Sequence, residues 1–351
     1  MFATIFFTND FKRGFQLLIF FISIMIVSYS LIIISFKNID QIHDFFNFWV
    51  GFAFINSLVT IIQVILGEKY FLTNILYPNL IESLNIYSLD ITGEKYISGY
   101  GLFHSPRYNS LFLQYSLLIV FVNLLMKKRS VIYNVFSFLL IVLALTATQS
   151  RASLFIAAFC ILFSFYLYKS KGGFKIKYGI SILFILGFIF MFLATRYEAV
   201  QNIFSAIYYR YQSLGDSYIW RYNIWLSSIN MLTDVKDYFF GLGLGTTGNF
   251  SYAFEVHNSY LELFVELGIV GFSMWAIFHF IAIKKGLWAL SQHADRRYFS
   301  IAIISFLMLL SATAYCSIGM SIRQGDLLII FPFALVQVCT YMMKENNTDN
   351  A

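Results

Sequence analysis

The chain has 351 residues, of which 59% are hydrophobic, 20% aromatic and only 12% charged. Soluble domains carry about 25% charged residues, so a water-soluble globular protein is excluded. The formal charge of +6 does not point to nucleic acid, because the basic residues gather in short links between apolar runs: Lys127-Lys128-Arg129, Lys169/Lys171/Lys175/Lys177, Lys284-Lys285 and Arg296-Arg297. Such clusters mark the cytoplasmic loops of membrane proteins.

Apolar runs long enough to cross about 30 Å of hydrocarbon recur near 15–36, 45–66, 109–126, 131–148, 152–168, 179–195, 259–283, 299–317 and 327–343. A β-barrel would show alternating segments of about 10 residues instead. The expected fold is therefore all-α, a polytopic transmembrane helical bundle of about 9–12 spans with one large extracytoplasmic loop containing short helices. The segments are N-terminal transmembrane helices (1–66), an outer loop (67–108), central helices (109–195), a large outer loop (196–256), C-terminal helices (257–343) and a cytoplasmic tail (344–351). The first run is too long for the h-region of a signal peptide and lacks a small-residue cleavage site. Counting back from the basic link at 127–129 puts the N-terminus outside, although Lys12 and Arg13 prefer the inside. Entry of "YFLTNILYPNLI" (70–81) into the membrane would change that parity. Cys160, Cys316 and Cys339 sit in apolar runs without C-x-x-C spacing, which gives neither a metal site nor a disulfide framework.

Polar residues at the expected outer ends of the spans carry the functional signal. "GYGLFHSPRYNS" (99–110) brings His104 and Arg107 to the start of a span. "TATQSRAS" (146–153) falls where two spans meet and holds Arg151 between them. A snorkelling anchor is the plain explanation for such a residue, but a guanidinium also offers planar, multi-donor contacts suited to phosphate. The loop 196–256 contains Arg196, Arg210, Arg221 and Lys236, and Arg323 in "SIRQGD" is a further outer cation. Within that loop "DSYIWRYNIWLSSINML" (216–232) is expected to be a helix capped by Asp216 or Ser217, with Arg221 and Trp225 on one face. The following "GLGLGTTGNF" is expected to be a flexible turn. It lacks the G-K-[ST] and preceding strand of a phosphate loop.

The segment "HNSYLELFVELGIVG" (257–271) opens a span on a histidine and carries two carboxylates. On one continuous helix Asn258, Glu262 and Glu266 form a polar stripe, expected to face the bundle interior or a water-filled cavity. Interhelical hydrogen bonding that fixes packing is the structural alternative. His257 lies to the other side, at the mouth of the helix.

Together these pieces resemble the O-antigen ligase/polymerase superfamily of bacterial inner-membrane glycosyltransferases. The family's C-terminal signature is His, then Asn/Ser/Gln, nine residues, Gly, two residues and Gly/Thr/Tyr. It is matched by His257-Asn258, Gly268 and Gly271. "TQSRAS" looks like the family's Thr-x-Ser-Arg turn, and "RYNIW" followed by "FFGLGLG" looks like its outer-loop helix, arginine and glycine turn. The ordered match runs from about residue 100 to 275, in a chain that is short for the family and has fewer placeable N-terminal helices.

The resemblance implies an undecaprenyl-diphosphate-linked glycan as donor, reached from the membrane lipid, and an active site on the periplasmic side of the bacterial inner membrane. Carried over by position, Arg151 and Arg221 would hold the diphosphate, and His257 would act on the acceptor hydroxyl as base or orienting partner. Arg107, Arg210, Asn258, Trp225 and Arg323 would bind substrate, with Glu262 and Glu266 as polar support. No metal and no cofactor are expected. The arginines would then stabilise the leaving diphosphate as preorganised donors, with the histidine moving a proton near neutral pH. A Wzy-type polymerase, extending O-antigen or capsular glycan with a chain-length regulator as possible partner, is favoured over a ligase that transfers finished glycan to lipid A–core. Outer loops rich in Tyr, Asn and Ser suit a glycan acceptor, and polymerases are the more divergent branch. A lipid-linked glycan flippase would instead show inverted repeats with paired broken helices, and no internal repeat is visible.

Overall fold

The computed structural model describes residues 19, 26–66, 88–91, 94–103, 105–126, 130–170, 214–244, 246, 258–292, 296–318 and 326–349. In chain order the elements are α1 (Tyr29–Ser35), α2 (Ile39–Leu66), β1 (Ser88–Ile91), β2 (Glu94–Ile97), α3 (Pro106–Leu125), α4 (Val131–Ala147), α5 (Arg151–Ser170), α6 (Leu214–Asn230), α7 (Val235–Phe240), α8 (Ser259–Ser291), α9 (Arg296–Ile318) and α10 (Asp326–Asp349). Six of them (α2, α3, α5, α8, α9 and α10) are long and apolar enough to cross a membrane, while α4 and the stretch Ile26–Ser35 are shorter. The polytopic helical bundle is therefore present, with six such helices among the described residues where the sequence suggested about nine. The run expected at 179–195 and much of that at 15–36 lie outside the described residues. One departure is the antiparallel pair β1–β2, in register from Ser88 opposite Ile97 to Ile91 opposite Glu94. It falls inside the loop expected at 67–108.

The chain forms two compact units, one of residues 43–214 and one of residues 1–42 with 215–351. In the first, α3 is the centre, packed against α4 and α5. It buries Leu111, Leu113, Tyr115, Leu118 and Ile119, as a helix apolar on all sides must. Trp49 of α2 stacks on Phe112 at 5.0 Å and donates its indole N–H to Ser116 Oγ at 2.9 Å. Outward faces of α2 and α5 expose Ile55, Leu58, Phe155 and Leu162, side chains suited to lipid.

In the second unit α8, α9 and α10 pack on one another, and α7 packs on α8. Within α8, Gly268 adopts φ 65°, ψ −171°, a region essentially restricted to glycine. The rings of Tyr260 and His279 lie 5.6 Å apart, although a straight helix would separate those positions by roughly 28 Å at 1.5 Å per residue. Phe264 and Phe272, four residues to either side of Gly268, are in ring contact at 6.2 Å. The chain thus turns back at Gly268, and α8 is a helical hairpin whose short arm, 259–267, folds against the longer arm, 269–291. The longer arm alone extends about 34 Å, enough to cross a bilayer. This corrects the single continuous helix expected at 257–271.

The turn is held by a second glycine. Gly241, which ends α7, has φ 75°, ψ 177°. A Cβ on it would fall 2.3 Å from the carbonyl carbon and oxygen of Glu266, and a Cβ on Gly268 would fall 2.3 Å from those of Phe239. The two segments therefore meet backbone to backbone. Carbonyls at the end of the short arm have lost their helical partners beyond the break. Leu242 N–H donates to Val265 O at 2.9 Å and Gly243 N–H donates to Glu266 O at 3.0 Å. The start of the turn expected to be flexible, Gly241 to Gly243, is pinned by these bonds. Upstream, the start of α7 is fixed by Asp237, whose Oδ2 accepts from Asp234 N–H and Thr233 N–H, both at 3.1 Å. Helix α6 starts at Leu214, so the expected caps Asp216 and Ser217 fall in its first turn. Asp favours both positions, as a cap and as an anion near the helix N-terminus, and residue type alone does not separate them.

Gly268→Ala or Gly241→Ala should sharply reduce the folded, monodisperse fraction of detergent-purified protein and lower its unfolding temperature. Gly51→Ala, where an added Cβ meets nothing within 4 Å, should leave both unchanged. Heated samples followed by fluorescence-detected size exclusion would show the contrast, and wild-type behaviour of Gly268→Ala would contradict the backbone contact.

Candidate functional site

In the 43–214 unit the site region is built on a buried polar network. Gln63 Oε1 accepts from Tyr100 N–H at 3.1 Å and Gly101 N–H at 2.7 Å, while its Nε2 donates to Gly101 O at 2.8 Å. Asn56 Oδ1 accepts from Leu102 N–H at 2.8 Å, and its Nδ2 donates to Asn109 Oδ1 at 2.6 Å. Asn109 Nδ2 in turn donates to Thr60 Oγ1 at 2.9 Å and Gly99 O at 3.2 Å. Buried backbone groups need partners, and here two side chains of α2 and one of α3 supply them to a loop. The same loop reaches the turn after α4, where Gly99 N–H donates to Ala147 O at 2.9 Å and Ser98 Oγ donates to Gln149 Oε1 at 3.1 Å. Gln149 has φ 56°, the sole positive φ at a non-glycine position among the described residues. Its conformation turns α4 into α5 within three residues.

This frame sets the first turns of α3 and α5 side by side. Ser105 caps α3, accepting from Arg107 N–H at 3.2 Å, and Pro106 fills the first helical position. Ser153 Oγ of α5 donates to Ser110 Oγ of α3 at 2.9 Å, and Ser150 and Ser153 share a further bond of 2.9 Å. Each stitched turn carries a half-buried arginine, Arg107 on α3 and Arg151 on α5. Helix N-termini favour anions, and two of them with two guanidinium groups form a locally positive surface suited to phosphate oxygens.

In the other unit Asn258 is the N-cap of α8, and its Oδ1 accepts from Tyr260 N–H and Leu261 N–H, both at 3.1 Å. Its acceptor oxygen is thus committed to the helix end, and it is not part of a helical stripe. Glu262 and Glu266 are buried, each 3% exposed. They lie on the short folded-back arm and not within a crossing helix. Tyr260 donates its hydroxyl to Thr313 O of α9 at 3.1 Å and rests on His279, whose ring is also enclosed by Trp275 and Phe333, both at 4.7 Å. Sequence reasoning passed over His279, since a single histidine in an apolar run has no spacing to mark it. On α6, Arg221 and Trp225 are both half-buried, on the side of the helix that also buries Ser228, as their spacing suggested.

His257, Arg210 and Arg323 lie outside the described residues, as does His104. His257 immediately precedes the Asn258 cap. Among the described residues no group of three or more His, Cys, Asp or Glu side chains is placed to hold a metal ion.

Residues 135–276 match the family model described as O-antigen ligase. The matched stretch contains the turn after α4, helices α6 and α7, the glycine turn, and the short arm and hinge of α8. A search of curated proteins gave no match.

The cap has a separable consequence. Asn258→Ala should destabilise the protein by about 1 kcal/mol, whereas Asn258→Asp should keep most of the stability because aspartate also caps well. Thermal unfolding of the two variants checks this, and equal losses in both would argue against capping as the main structural role of Asn258.

Proposed function

Starting from a multi-pass helical membrane protein that carries the signature of the O-antigen ligase/polymerase superfamily, we propose that the chain is a Wzy-type polymerase. It would transfer the growing glycan from undecaprenyl diphosphate onto the next lipid-linked repeat unit, at the periplasmic face of the inner membrane. The observation that carries this proposal is the ordered motif set within residues 135–276, in which a His-Asn pair precedes an arm locked by two glycine segments. O-antigen or capsular polysaccharide is the product class, with a chain-length regulator as partner.

In this mechanism Arg151 and Arg221 bind the donor diphosphate, and Arg107, beside Arg151, adds a third cation. The acceptor hydroxyl attacks the anomeric carbon while the bond to the diphosphate oxygen breaks. His257 takes the hydroxyl proton or orients the hydroxyl, and the guanidinium groups stabilise the charge that develops on the leaving diphosphate. The fork geometry of arginine suits this better than a lysine point charge. His257 immediately precedes the capped, glycine-locked arm in sequence, and catalysis requires an oriented base. One observation favours a second reading, ligation of finished glycan to lipid A–core: the matching family model is itself described as O-antigen ligase.

His257→Ala should abolish glycan chain extension while the protein remains stably inserted, and normal long-chain glycan in that variant would remove the assignment. Arg151→Lys and Arg221→Lys should each impair extension strongly, so full activity in both would count against the diphosphate clamp. Gel analysis of the deletion strain separates the two activities. Single repeat units still attached to lipid A–core indicate a polymerase, whereas loss of all attached units with accumulation of lipid-linked polymer indicates a ligase.

A further inference from the structure

Helix α6 lies outside the six candidate spans, yet its exposed side carries a continuous apolar stripe, bordered by exposed Asn223, Ser227 and Asn230. Ile219, Tyr222, Leu226 and Ile229 are between 37% and 58% exposed. At 100° per residue they occupy an arc of about 80°. Away from the stripe the helix holds half-buried Arg221 and Ile224 and buried Ser228, with half-buried Trp225 at the stripe's edge. A helix facing water would keep such an apolar stripe inward.

Helix α7 continues the pattern. Tyr238, Phe239 and Phe240 are each more than 40% exposed, and Val235 is 75% exposed. The end of α7 is fixed against the tip of the α8 hairpin by the Gly241–Gly268 contact. The residues that follow that tip, Ile269 and Val270, are also exposed, and they begin the arm of α8 long enough to cross the membrane. The apolar face of α7 is therefore continuous with a surface suited to lipid, at the end of a crossing segment. Tyr and Phe at such a level match the composition of a membrane–water boundary.

We propose that α6 and α7 lie in the membrane interface, with these faces immersed at the boundary between head groups and acyl chains and the opposite side turned toward the protein. The occupant of the exposed face is bilayer lipid. A monotopic helix of this kind is held by its buried apolar area without crossing the membrane. Seated so, Arg221 lies at the depth of lipid phosphates, which is where the diphosphate of a lipid-linked donor would be. That last consequence rests on the function proposed above, but the membrane seating does not.

The test is fluorescence quenching in the full-length protein reconstituted into phosphatidylglycerol/phosphatidylethanolamine vesicles. An environment-sensitive NBD label is attached at Leu226→Cys or Phe239→Cys, with Met274→Cys as a lipid-facing reference and Thr233→Cys as a polar reference. The three native cysteines are buried and are replaced by alanine; if that background does not fold, the labels are placed in the native background. Labels at 226 and 239 should show blue-shifted emission and lose fluorescence with shallow doxyl lipids, as at 274, with little quenching by aqueous iodide. Iodide quenching at 226 and 239 without lipid quenching would overturn the proposal by showing water there. Protection from both quenchers would overturn it equally, because another protein surface, from this chain or a second copy, would then cover the face. Either result can be scored with an inactive or active enzyme, so it is independent of the assay of chain extension.

Discussion

Where a peptide carbonyl presses into the position a Cβ would fill, only glycine can stand, and in this protein Gly241 and Gly268 meet that requirement together. Each occupies a backbone region that other residues avoid, and each would place a Cβ 2.3 Å from the other segment's carbonyl. From this contact follow the reversal of α8, the fixed conformation of the glycine-rich turn, and the docking of α7. The lost helical partners of Val265 and Glu266 are replaced by the amides of Leu242 and Gly243, which satisfies these two carbonyls. The short arm is then held at its other end by the Asn258 cap and by Tyr260 on Thr313 and His279. The short arm that begins after Asn258 is thus fastened at both ends.

The 43–214 unit reaches rigidity by a different route. Its loop at 98–102 has no regular structure of its own, so its backbone groups draw on Asn56, Gln63 and Asn109. In an apolar surrounding each unsatisfied group would cost several kcal/mol, so the network specifies one loop conformation. The turn at Gln149 is included through Ser98, and the serine pair Ser110–Ser153 aligns the two arginine-bearing turns. Both units thus use non-repetitive backbone to position a polar residue at the start of a helix. Neither device requires a large apolar core near the site.

Much of the frame was legible in the sequence because hydropathy reports directly on burial in lipid. The spans at 45–66, 109–126, 152–168, 299–317 and 327–343 coincide with crossing helices. Helix α6 was legible from its periodicity, and Gly268 and Gly271 from their spacing to His257. The reversal at Gly268 was not, since a single glycine inside a helical pattern is compatible with continuation and its partner, Gly241, lies in a separate segment. A helical wheel drawn through the hinge therefore assigned Asn258, Glu262 and Glu266 to one descending face, whereas Asn258 is a cap and the carboxylates sit on a folded-back arm. The pairing of Gln63 with Gly101 and the Ser110–Ser153 bond between the two arginine-bearing turns were hidden for the same reason, as both depend on tertiary neighbours.

The most direct measurement is a distance across the hinge. Spin labels at Leu261→Cys and Phe280→Cys, which flank the Tyr260–His279 contact without replacing either ring, can be read by electron paramagnetic resonance in reconstituted protein. A folded-back arm predicts strong dipolar coupling at a separation well below ~20 Å, whereas one continuous helix would hold the backbones roughly 28 Å apart. A single population at the longer distance would contradict the glycine-locked hairpin.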